Sequence, residues 1–550
     1  MPIDRTDAGS RALPAVIGAV ALSGALAFSL PARAQENPFS ALSVLSQPVA
    51  QPLSAIDWLD QGRGLAAPPF AEGALRLPSM VPPPLTEPPV VDSAQIPDVT
   101  VTPLEDAGLD AVGLLPSSVS GLPLSLWQGS RTSDLVALIS EPGRLGLPAI
   151  QGLMYTLLLA EADAPPDAGR DSLLLQARVD ALMRLGAVEP AQALLERAGP
   201  EAPALFSRWF DATMLTGAED TACAALMRAP HLSPSYGAQV FCSARRGDWD
   251  GAMLTLDTAR ALGVLPEIEA DLLARFMDPE LLEDTELPRA PVRPSPLVFR
   301  LYEALGEPLI TAPLPRAFAV ADLRDTAGWR AQIEAAERLA SSGALAPNRL
   351  LGLYSERKPA ASGGVWDRVQ AVQRFDAAIR SGDTDAIGAS LPVVWSAMGA
   401  ADLGVAFASL YSPALERVAL QGAAGELAYR IALLGPDYEA AAIDKGDLYP
   451  GMRFATAVAR GQVDGMQPEG ALQVTIRDGF AAPTPPPAQV ELLRAQRLGE
   501  AILQTIRMIQ RATQGELVDL AGGIATLRAV GLEDTARRAA LQLILLGPRS

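Results

Sequence analysis

Apolar residues recur at intervals of three and four from residue 133 onwards, with Gly or Pro every 10 to 15 residues. This spacing places the apolar side chains on one face of short amphipathic helices, which the Gly and Pro residues separate. The alternation that is typical of strands is scarce and is limited to pieces such as Gln473–Ile476. The pattern therefore predicts an all-α fold.

One turn motif recurs within this helical pattern. Three adjacent copies begin at Gly186, Gly217 and Gly247, which are 31 and 30 residues apart, and a fourth copy begins at Gly531. Each motif predicts a helical hairpin in which the Gly ends the first helix in the left-handed conformation. An acidic residue follows at the start of the second helix, where the helix dipole favours it. A small residue then lets the two helices approach each other; these residues are Ala191, Ala222, Ala252 and Ala536.

The segment LLLQARVDALMRLGAVEPAQALLERA, residues 173–198, resembles a tetratricopeptide-type (TPR) helical hairpin. The three copies are a divergent form of that repeat, because their period is 30 to 31 residues and they lack the family's Trp and Tyr positions; the family period is about 34 residues. The resemblance covers residues 172–263. It implies an α-solenoid, a right-handed stack of helix pairs whose concave face binds protein segments.

The first 34 residues have the pattern of a secretory signal peptide. Arg5 and Arg11 precede an apolar run from Ala12 to Leu30, and Ala32–Ala34 is a small-x-small cleavage site. We therefore expect cleavage after Ala34 and a periplasmic location in a bacterium with two membranes. A retained membrane anchor is the alternative. No later stretch is long and apolar enough for a further span, so we expect no integral membrane span after cleavage.

Proline density divides the rest of the chain. Residues 38–123 contain 15 prolines, a density that blocks both helices and sheets, and this predicts a disordered tether. Further proline clusters at 288–296 and 483–487 indicate boundaries within the helical region. The predicted parts are a signal peptide (1–34), a tether (35–127), TPR-like repeats (128–287), a second helical segment (288–482) and a C-terminal helical hairpin (483–550).

The C-terminal part begins with an apolar stripe. Residues 488–515 predict one strongly amphipathic helix, and a hairpin follows over residues 517–545. We expect this hairpin to pack on the stripe and cap the repeats, because the end of a repeat stack must hide its apolar face. Dimerisation through the stripe is the alternative.

Composition narrows the function classes. With one histidine and two cysteines, the chain alone cannot supply a His-rich metal site, a four-cysteine zinc site or an iron–sulfur cluster. Nucleotide-binding, hydrolase and metalloprotease motifs are absent from the sequence, and we expect no cofactor. The formal net charge of −19, without a basic patch along the sequence, argues against nucleic acid or an anionic membrane as partner. The favoured role is a non-enzymatic scaffold that binds envelope proteins through residues 172–263, and a passive structural spacer is another interpretation.

The two cysteines flank one predicted interhelical loop. Cys223 lies seven residues before Pro230, and Cys242 lies seven residues after Ser235. Equal distances from the turn place the two cysteines at the same height on facing antiparallel helices, so an oxidising compartment predicts a disulfide. Free buried cysteines and a redox-active pair are alternatives. A further alternative is a Cys-His-Cys metal site that includes His231 of the same loop.

The enzymatic alternative depends on residues 354–366, YSERKPAASGGVW. This stretch resembles the Glu-Ser, Pro-x-Ala and Ser-x-x-Gly sequence of soluble lytic transglycosylases, periplasmic enzymes that carry a catalytic Glu beside a large helical superhelix. The resemblance implies that Glu356 is a buried general acid for peptidoglycan cleavage. Arg357 stands where that family has Ser, and the family's Gly-Leu-Met-Gln does not follow. The other interpretation is an exposed polar connection between two helices.

Overall fold

Short helices follow one another along the chain. The computed structural model describes residues 108–141, 145–200, 202–278, 286–482 and 484–547. Within these ranges no strand forms, and one isolated bridge pairs Leu115 with Ala160. The predicted all-α fold is confirmed.

The helices are short and closely spaced. The α-helices are α1 (Ser117–Ser120), α2 (Thr132–Ser140), α3 (Pro148–Leu159), α4 (Leu173–Leu185), α5 (Val188–Ala198), α6 (Pro203–Thr216), α7 (Glu219–Arg228), α8 (Tyr236–Arg245), α9 (Trp249–Ala261), α10 (Glu267–Met277), α11 (Pro296–Ala304), α12 (Trp329–Ala340), α13 (Pro347–Glu356), α14 (Val365–Ser381), α15 (Thr384–Gly399), α16 (Gly404–Leu415), α17 (Gly422–Ala432), α18 (Tyr438–Lys445), α19 (Arg453–Arg460), α20 (Ala471–Ala481), α21 (Pro487–Arg494), α22 (Leu498–Thr513), α23 (Leu520–Ala529) and α24 (Glu533–Leu546). The 3₁₀ segments are Leu109–Ala111, Leu124–Trp127, Pro230–Leu232, Arg316–Leu323, Gly446–Leu448 and Pro450–Met452.

Local sequence sets many helix ends. Pro occupies the first turn of α3, α6, α11, α13 and α21, where a missing N–H leaves no hydrogen bond unmade. The Ser235 hydroxyl caps α8 by accepting the backbone N–H of Ala238 at 3.1 Å. The Asp248 carboxylate caps α9 in the same way, with the backbone N–H of Gly251 at 3.1 Å. Each helix therefore starts and stops independently of its neighbours, and packing decides how the helices assemble.

Two apolar clusters form the core of the described residues. The described residues all belong to one compact unit. One cluster consists mainly of residues 314–434. The other joins residues 122–302 to residues 429–543, so the first and the last described helices share one core. The boundaries proposed from the proline clusters, at 287 and 482, stay predictions.

Helix α22 connects the two ends of this shared core. It packs against α2 and α3 near the start of the described chain and against α23 near its end. Arg497, just before α22, forms an ion pair with Asp134 of α2 at 2.8 Å. The side-chain oxygen of Gln542 in α24 accepts the backbone N–H of Ala149 in α3 at 3.0 Å. The predicted hairpin does pack on the apolar stripe, but the N-terminal helices cover the stripe as well.

The C-terminal boundary predicted for the disordered tether, residue 127, is wrong. Residues 108–127 are ordered, and Leu126 and Trp127 are buried with 0% and 1% exposure. The guanidinium of Arg178 in α4 holds this segment by donating to the carbonyl oxygens of Asp110 and Val112 at 3.2 and 2.8 Å. Proline therefore marks an irregular but packed segment here, because side-chain donors satisfy backbone carbonyls that no helix or sheet uses. The signal peptide and tether residues 35–107 lie outside the described residues.

Two local predictions are also wrong. Residues 488–515 form two helices, α21 and α22, instead of one, because Gln496 adopts a φ of 59° and ends the first of them. The alternating piece Gln473–Ile476 lies inside α20, where Ile476 is buried and its neighbours are partly exposed. A run of four residues is too short to separate a period of two from one of 3.6.

Candidate functional site

The four turn motifs share one geometry. Gly186, Gly217, Gly247 and Gly531 have φ values of 88°, 82°, 84° and 85°, the left-handed conformation that Gly adopts without strain. The hairpins that they form are α4–α5, α6–α7, α8–α9 and α23–α24. The small residue of every motif is fully buried; these residues are Ala191, Ala222, Ala252 and Ala536. The motif is therefore a packing device between two helices, with its acidic residues in the first turn of the second helix.

The predicted disulfide is present. Cys223 in α7 and Cys242 in α8 are bonded, with their Cα atoms 4.9 Å apart, and both are buried. The bond uses both thiols, so the alternative Cys-His-Cys metal site lacks its sulfur ligands. His231 lies in the exposed 3₁₀ segment between the two helices. Within the described residues, no group of three His, Cys, Asp or Glu side chains is placed to hold a metal ion.

Glu356 is the last residue of α13 and is not in a buried site. Its side chain is 42% exposed and pairs with the adjacent Arg357 at 2.9 Å. The buried carboxylate nearby is that of Glu337, which accepts the Tyr354 hydroxyl at 2.8 Å and pairs with Arg368. Burial and the Glu337 carboxylate raise the pKa of the Tyr354 phenol. The structure thus places Glu356 in the exposed connection between α13 and α14.

A groove of about 940 Å³ lies where α2, α3 and α4 face α22, and we call it the central groove. Its apolar lining residues are Leu138, Ile139, Leu145, Met154, Ala181, Leu185, Leu503 and Ile506. Its charged lining residues are Glu141, Arg184, Arg316, Asp402, Arg507 and Arg511. A concave surface with an apolar floor and a few convergent charged groups is typical of a binding site.

Backbone carbonyls orient two of these arginines. The Arg184 guanidinium donates to the carbonyl oxygen of Ile139 at 2.7 Å, and burial lowers its pKa, an effect that Asp180 opposes. Arg184 remains charged, because the ordinary pKa of Arg is far above neutrality. The Arg507 guanidinium donates to the carbonyl oxygen of Leu138 at 3.3 Å and pairs with Glu141. These contacts hold both positive charges at the rim of the apolar floor.

No local sequence pattern predicts the central groove as a whole, because its arginines lie far apart along the chain. Arg184 is in α4 and Arg507 is in α22, more than 300 residues later. One part of the site can be found in the sequence. Arg507 and Arg511 are four residues apart on the predicted amphipathic helix, beside the apolar stripe that includes Ile506. The residues of the site come together only because α22 packs on the first helices, a contact that no local pattern encodes.

No described helix is both long enough and apolar enough to cross a lipid bilayer. A scan against protein-family models finds no match to this chain, and neither a search of curated proteins nor a search of solved structures finds one.

Proposed function

We propose that the protein is a non-enzymatic helical-repeat protein of the periplasm that binds a segment of another envelope protein. The observation that carries the proposal is the central groove, whose apolar floor is open to a ligand and is bordered by charged side chains. Residues of α4, the first helix of the TPR-like repeats, line it through Ala181, Arg184 and Leu185. The partner-binding surface proposed from the sequence, residues 172–263, therefore includes one wall of the groove.

Two further features support this proposal. The hairpins α4–α5, α6–α7 and α8–α9 follow one another directly, the order expected of a TPR-like stack. The Cys223–Cys242 disulfide fits an exported protein, because disulfides persist in oxidising compartments such as the periplasm. We propose the solenoid arrangement and the periplasmic location on these grounds.

The proposal is tested by capture of a partner from envelope extracts with the purified full chain as bait. Leu138 and Met154 are half-buried lining residues, and the double variant Leu138→Gln/Met154→Gln makes the groove floor polar without changing its charge. Leu448→Gln is the control, because Leu448 is 70% exposed in the 3₁₀ segment Gly446–Leu448 and lies outside both residues 172–263 and the groove. We expect wild type and control to recover the same stoichiometric partner and the double variant to lose it. Equal recovery by all three proteins, or no partner in repeated extractions, would contradict the proposal.

The enzymatic alternative is tested separately. A glycosidase acid needs a carboxyl group that stays protonated near neutral pH, usually through burial, and the exposed, ion-paired Glu356 has no such environment. We expect no release of muropeptides from purified sacculi by wild type or by Glu356→Gln. Release that Glu356→Gln abolishes would restore the enzymatic interpretation.

A further inference from the structure

Arg507 and Arg511 of α22 line a second cavity as well as the central groove. This cavity has a volume of about 440 Å³ and lies among α21, α22 and α23, and we call it the α22 side pocket. The two spaces share both arginines, so a ligand that follows α22 past these side chains contacts both spaces. Met508 and Val518 add apolar area to the side pocket, and Val518 is 92% exposed.

A chain of polar contacts ends at the α22 side pocket. The Arg497 guanidinium pairs with the Glu500 carboxylate at 2.6 Å, and that carboxylate accepts the side-chain amide of Gln504 at 3.2 Å. The Gln504 side-chain oxygen in turn accepts the amide of Gln489 at 3.1 Å. The Glu500 carboxylate accepts hydrogen bonds only, so it fixes the orientation of both amides.

Gln489 completes this chain without a donor for its own oxygen. The residue is 4% exposed and lines the pocket, and its side-chain oxygen has no hydrogen-bond partner among the described residues. A buried acceptor without a donor is unfavourable, because folding has removed its hydrogen bonds to water. A ligand that brings an N–H group to Gln489 removes that cost, so the pocket favours a ligand with amide donors.

The charges of the two spaces favour an anionic ligand. Their described lining residues carry four arginines and three acids, in a chain whose formal net charge is −19. Two of the acids, Glu141 and Asp519, pair with Arg507 and Arg511. Arg184 forms no ion pair within the described residues and instead donates to a carbonyl oxygen. The site is therefore a positive region on an otherwise acidic molecule, and carboxylates are drawn to it.

We propose that the central groove and the α22 side pocket together bind an extended acidic protein segment. In this arrangement, carboxylates of the segment pair with Arg184 and Arg511, its apolar side chains cover the groove floor, and a backbone N–H donates to Gln489. This inference rests on the proposed function and specifies the chemistry of the partner. A peptide supplies all three kinds of contact, whereas a phosphate group supplies charge alone.

The test uses fluorescence anisotropy with the full chain and three labelled octapeptides, in which Leu alternates with Glu, Gln or Lys. We expect the Leu/Glu peptide to bind at least about tenfold more tightly than the Leu/Gln peptide, and the Leu/Lys peptide not to bind. Arg184→Gln and Arg511→Gln should each weaken binding of the Leu/Glu peptide by about tenfold, since a charge-assisted hydrogen bond is lost. Arg330→Gln is the control, because Arg330 is exposed on α12, pairs with Glu334 and lies outside both spaces.

Gln489→Met separates ligand binding from a structural role. It removes the unpartnered oxygen and keeps the length of the side chain, but it also removes the amide that donates to Gln504, a partly exposed side chain that can bond water instead. We therefore expect a melting temperature close to that of wild type together with weaker peptide binding. A variant that loses both stability and binding would count against the assigned contact. Full displacement of the Leu/Glu peptide by inorganic phosphate would overturn the assignment to a peptide, because the site would then recognise only negative charge.

The two proposals can fail independently. Suppose that the envelope partner is captured through the groove floor but the Leu/Glu and Leu/Gln peptides bind equally. The proposal of an acidic ligand is then wrong, and the proposed function is still supported. If the Leu/Glu peptide binds through the arginines but extracts give no partner, the proposed function is wrong and the proposal of an acidic-ligand site is still supported. Absence of binding by all three peptides overturns the acidic assignment.

Discussion

At the scale of single residues, Asp211 in α6 is a carboxylate whose pKa rises on folding. Burial raises its pKa from 3.8 to about 7, the Arg208 guanidinium opposes that rise, and the Asp180 carboxylate adds to it. Arg208 gives little help because it donates to Asp180 at 2.7 and 2.8 Å. Folding therefore disfavours the ionised form of the Asp211 carboxyl group.

This predicts that Asp211→Asn stabilises the protein above the folded pKa. The folded state keeps the proton of Asp211 between pH 3.8 and about 7 while the unfolded chain has lost it, so stability falls as pH rises through this range. We expect the variant to gain on the order of 1–2 kcal/mol at about pH 8 and close to nothing at about pH 4, after allowance for partial screening. Urea unfolding at both pH values measures the gain. Asp257→Asn serves as a control, because Asp257 is an exposed helical carboxylate on α9. A gain at Asp211 that does not change with pH would show that the residue does not titrate as described.

At the scale of elements, Arg178 anchors the first ordered segment to the repeats. It is 0% exposed and donates to the carbonyl oxygens of Leu158 and Ala160 at 2.8 and 2.9 Å, in addition to those of Asp110 and Val112. Burial lowers its pKa to about 10, and the neighbouring Asp110 opposes that change. One side chain therefore satisfies carbonyls from two segments that have no ladder of their own.

Replacing Arg178 by Met should destabilise the protein by about 3–5 kcal/mol, because four backbone carbonyls would lose a buried donor and the Asp110 carboxylate would lose a neighbouring positive charge. Urea unfolding measures the loss, and limited proteolysis should show earlier cleavage within residues 108–127. Arg170→Met is the matched control, since Arg170 is exposed, and we expect a change below about 0.5 kcal/mol. Equal stability of the two variants would mean that Arg178 is not an anchor.

The Cys223–Cys242 disulfide joins helices α7 and α8. Its sequence separation is 19 residues, and closing a loop of that size stabilises the folded state by about 3 kcal/mol in the chain-entropy model. We expect the Cys223→Ala/Cys242→Ala variant to lose about that amount in urea unfolding. Reduced wild type should match the variant, whereas reductant should leave the variant unchanged. Two free thiols in unfolded, unreduced wild type would contradict the bond itself.

The elements themselves were largely predictable from local sequence, and the exceptions have physical causes. The turn glycines and the cysteine pair follow from spacing, because a hairpin fixes the heights of residues on its two helices. The break at Gln496 was missed, since a non-Gly residue in the left-handed conformation leaves no compositional mark. The packing of residues 108–127 was missed because Arg178, which donates to the backbone carbonyls of Asp110 and Val112, belongs to a distant helix.

At the scale of the whole described chain, the first and last helices share a core that depends on close contacts between them. Gly499 in α22 lies against Trp127, and a Cβ atom at this position would be 2.4 Å from the indole ring. A Cβ atom at Gly129 would likewise be 2.2 Å from the carbonyl oxygen of Gln496. Helix pairs in a simple repeat stack contact their neighbours only, so the repeat period could not predict this contact or the central groove that it creates.

Gly499→Ala tests whether the two ends depend on each other. Alanine normally stabilises a helix interior by about 1 kcal/mol relative to Gly, but here its methyl group would clash with Trp127 and with the carbonyl oxygen of Leu126, so we expect a net loss of about 1–3 kcal/mol. Gly352→Ala is the matched control, because Gly352 is helical in α13 and has open space around it, and we expect it to be neutral or stabilising. Urea unfolding followed by tryptophan fluorescence measures both variants.

Limited proteolysis of Gly499→Ala should reveal earlier cleavage at both ends of the described chain, in residues 108–141 and 484–547, because both segments would lose the same contact. Cleavage that increases only at residues 484–547 would show that the N-terminal segment holds its place without α22, and the central groove would then have a movable wall.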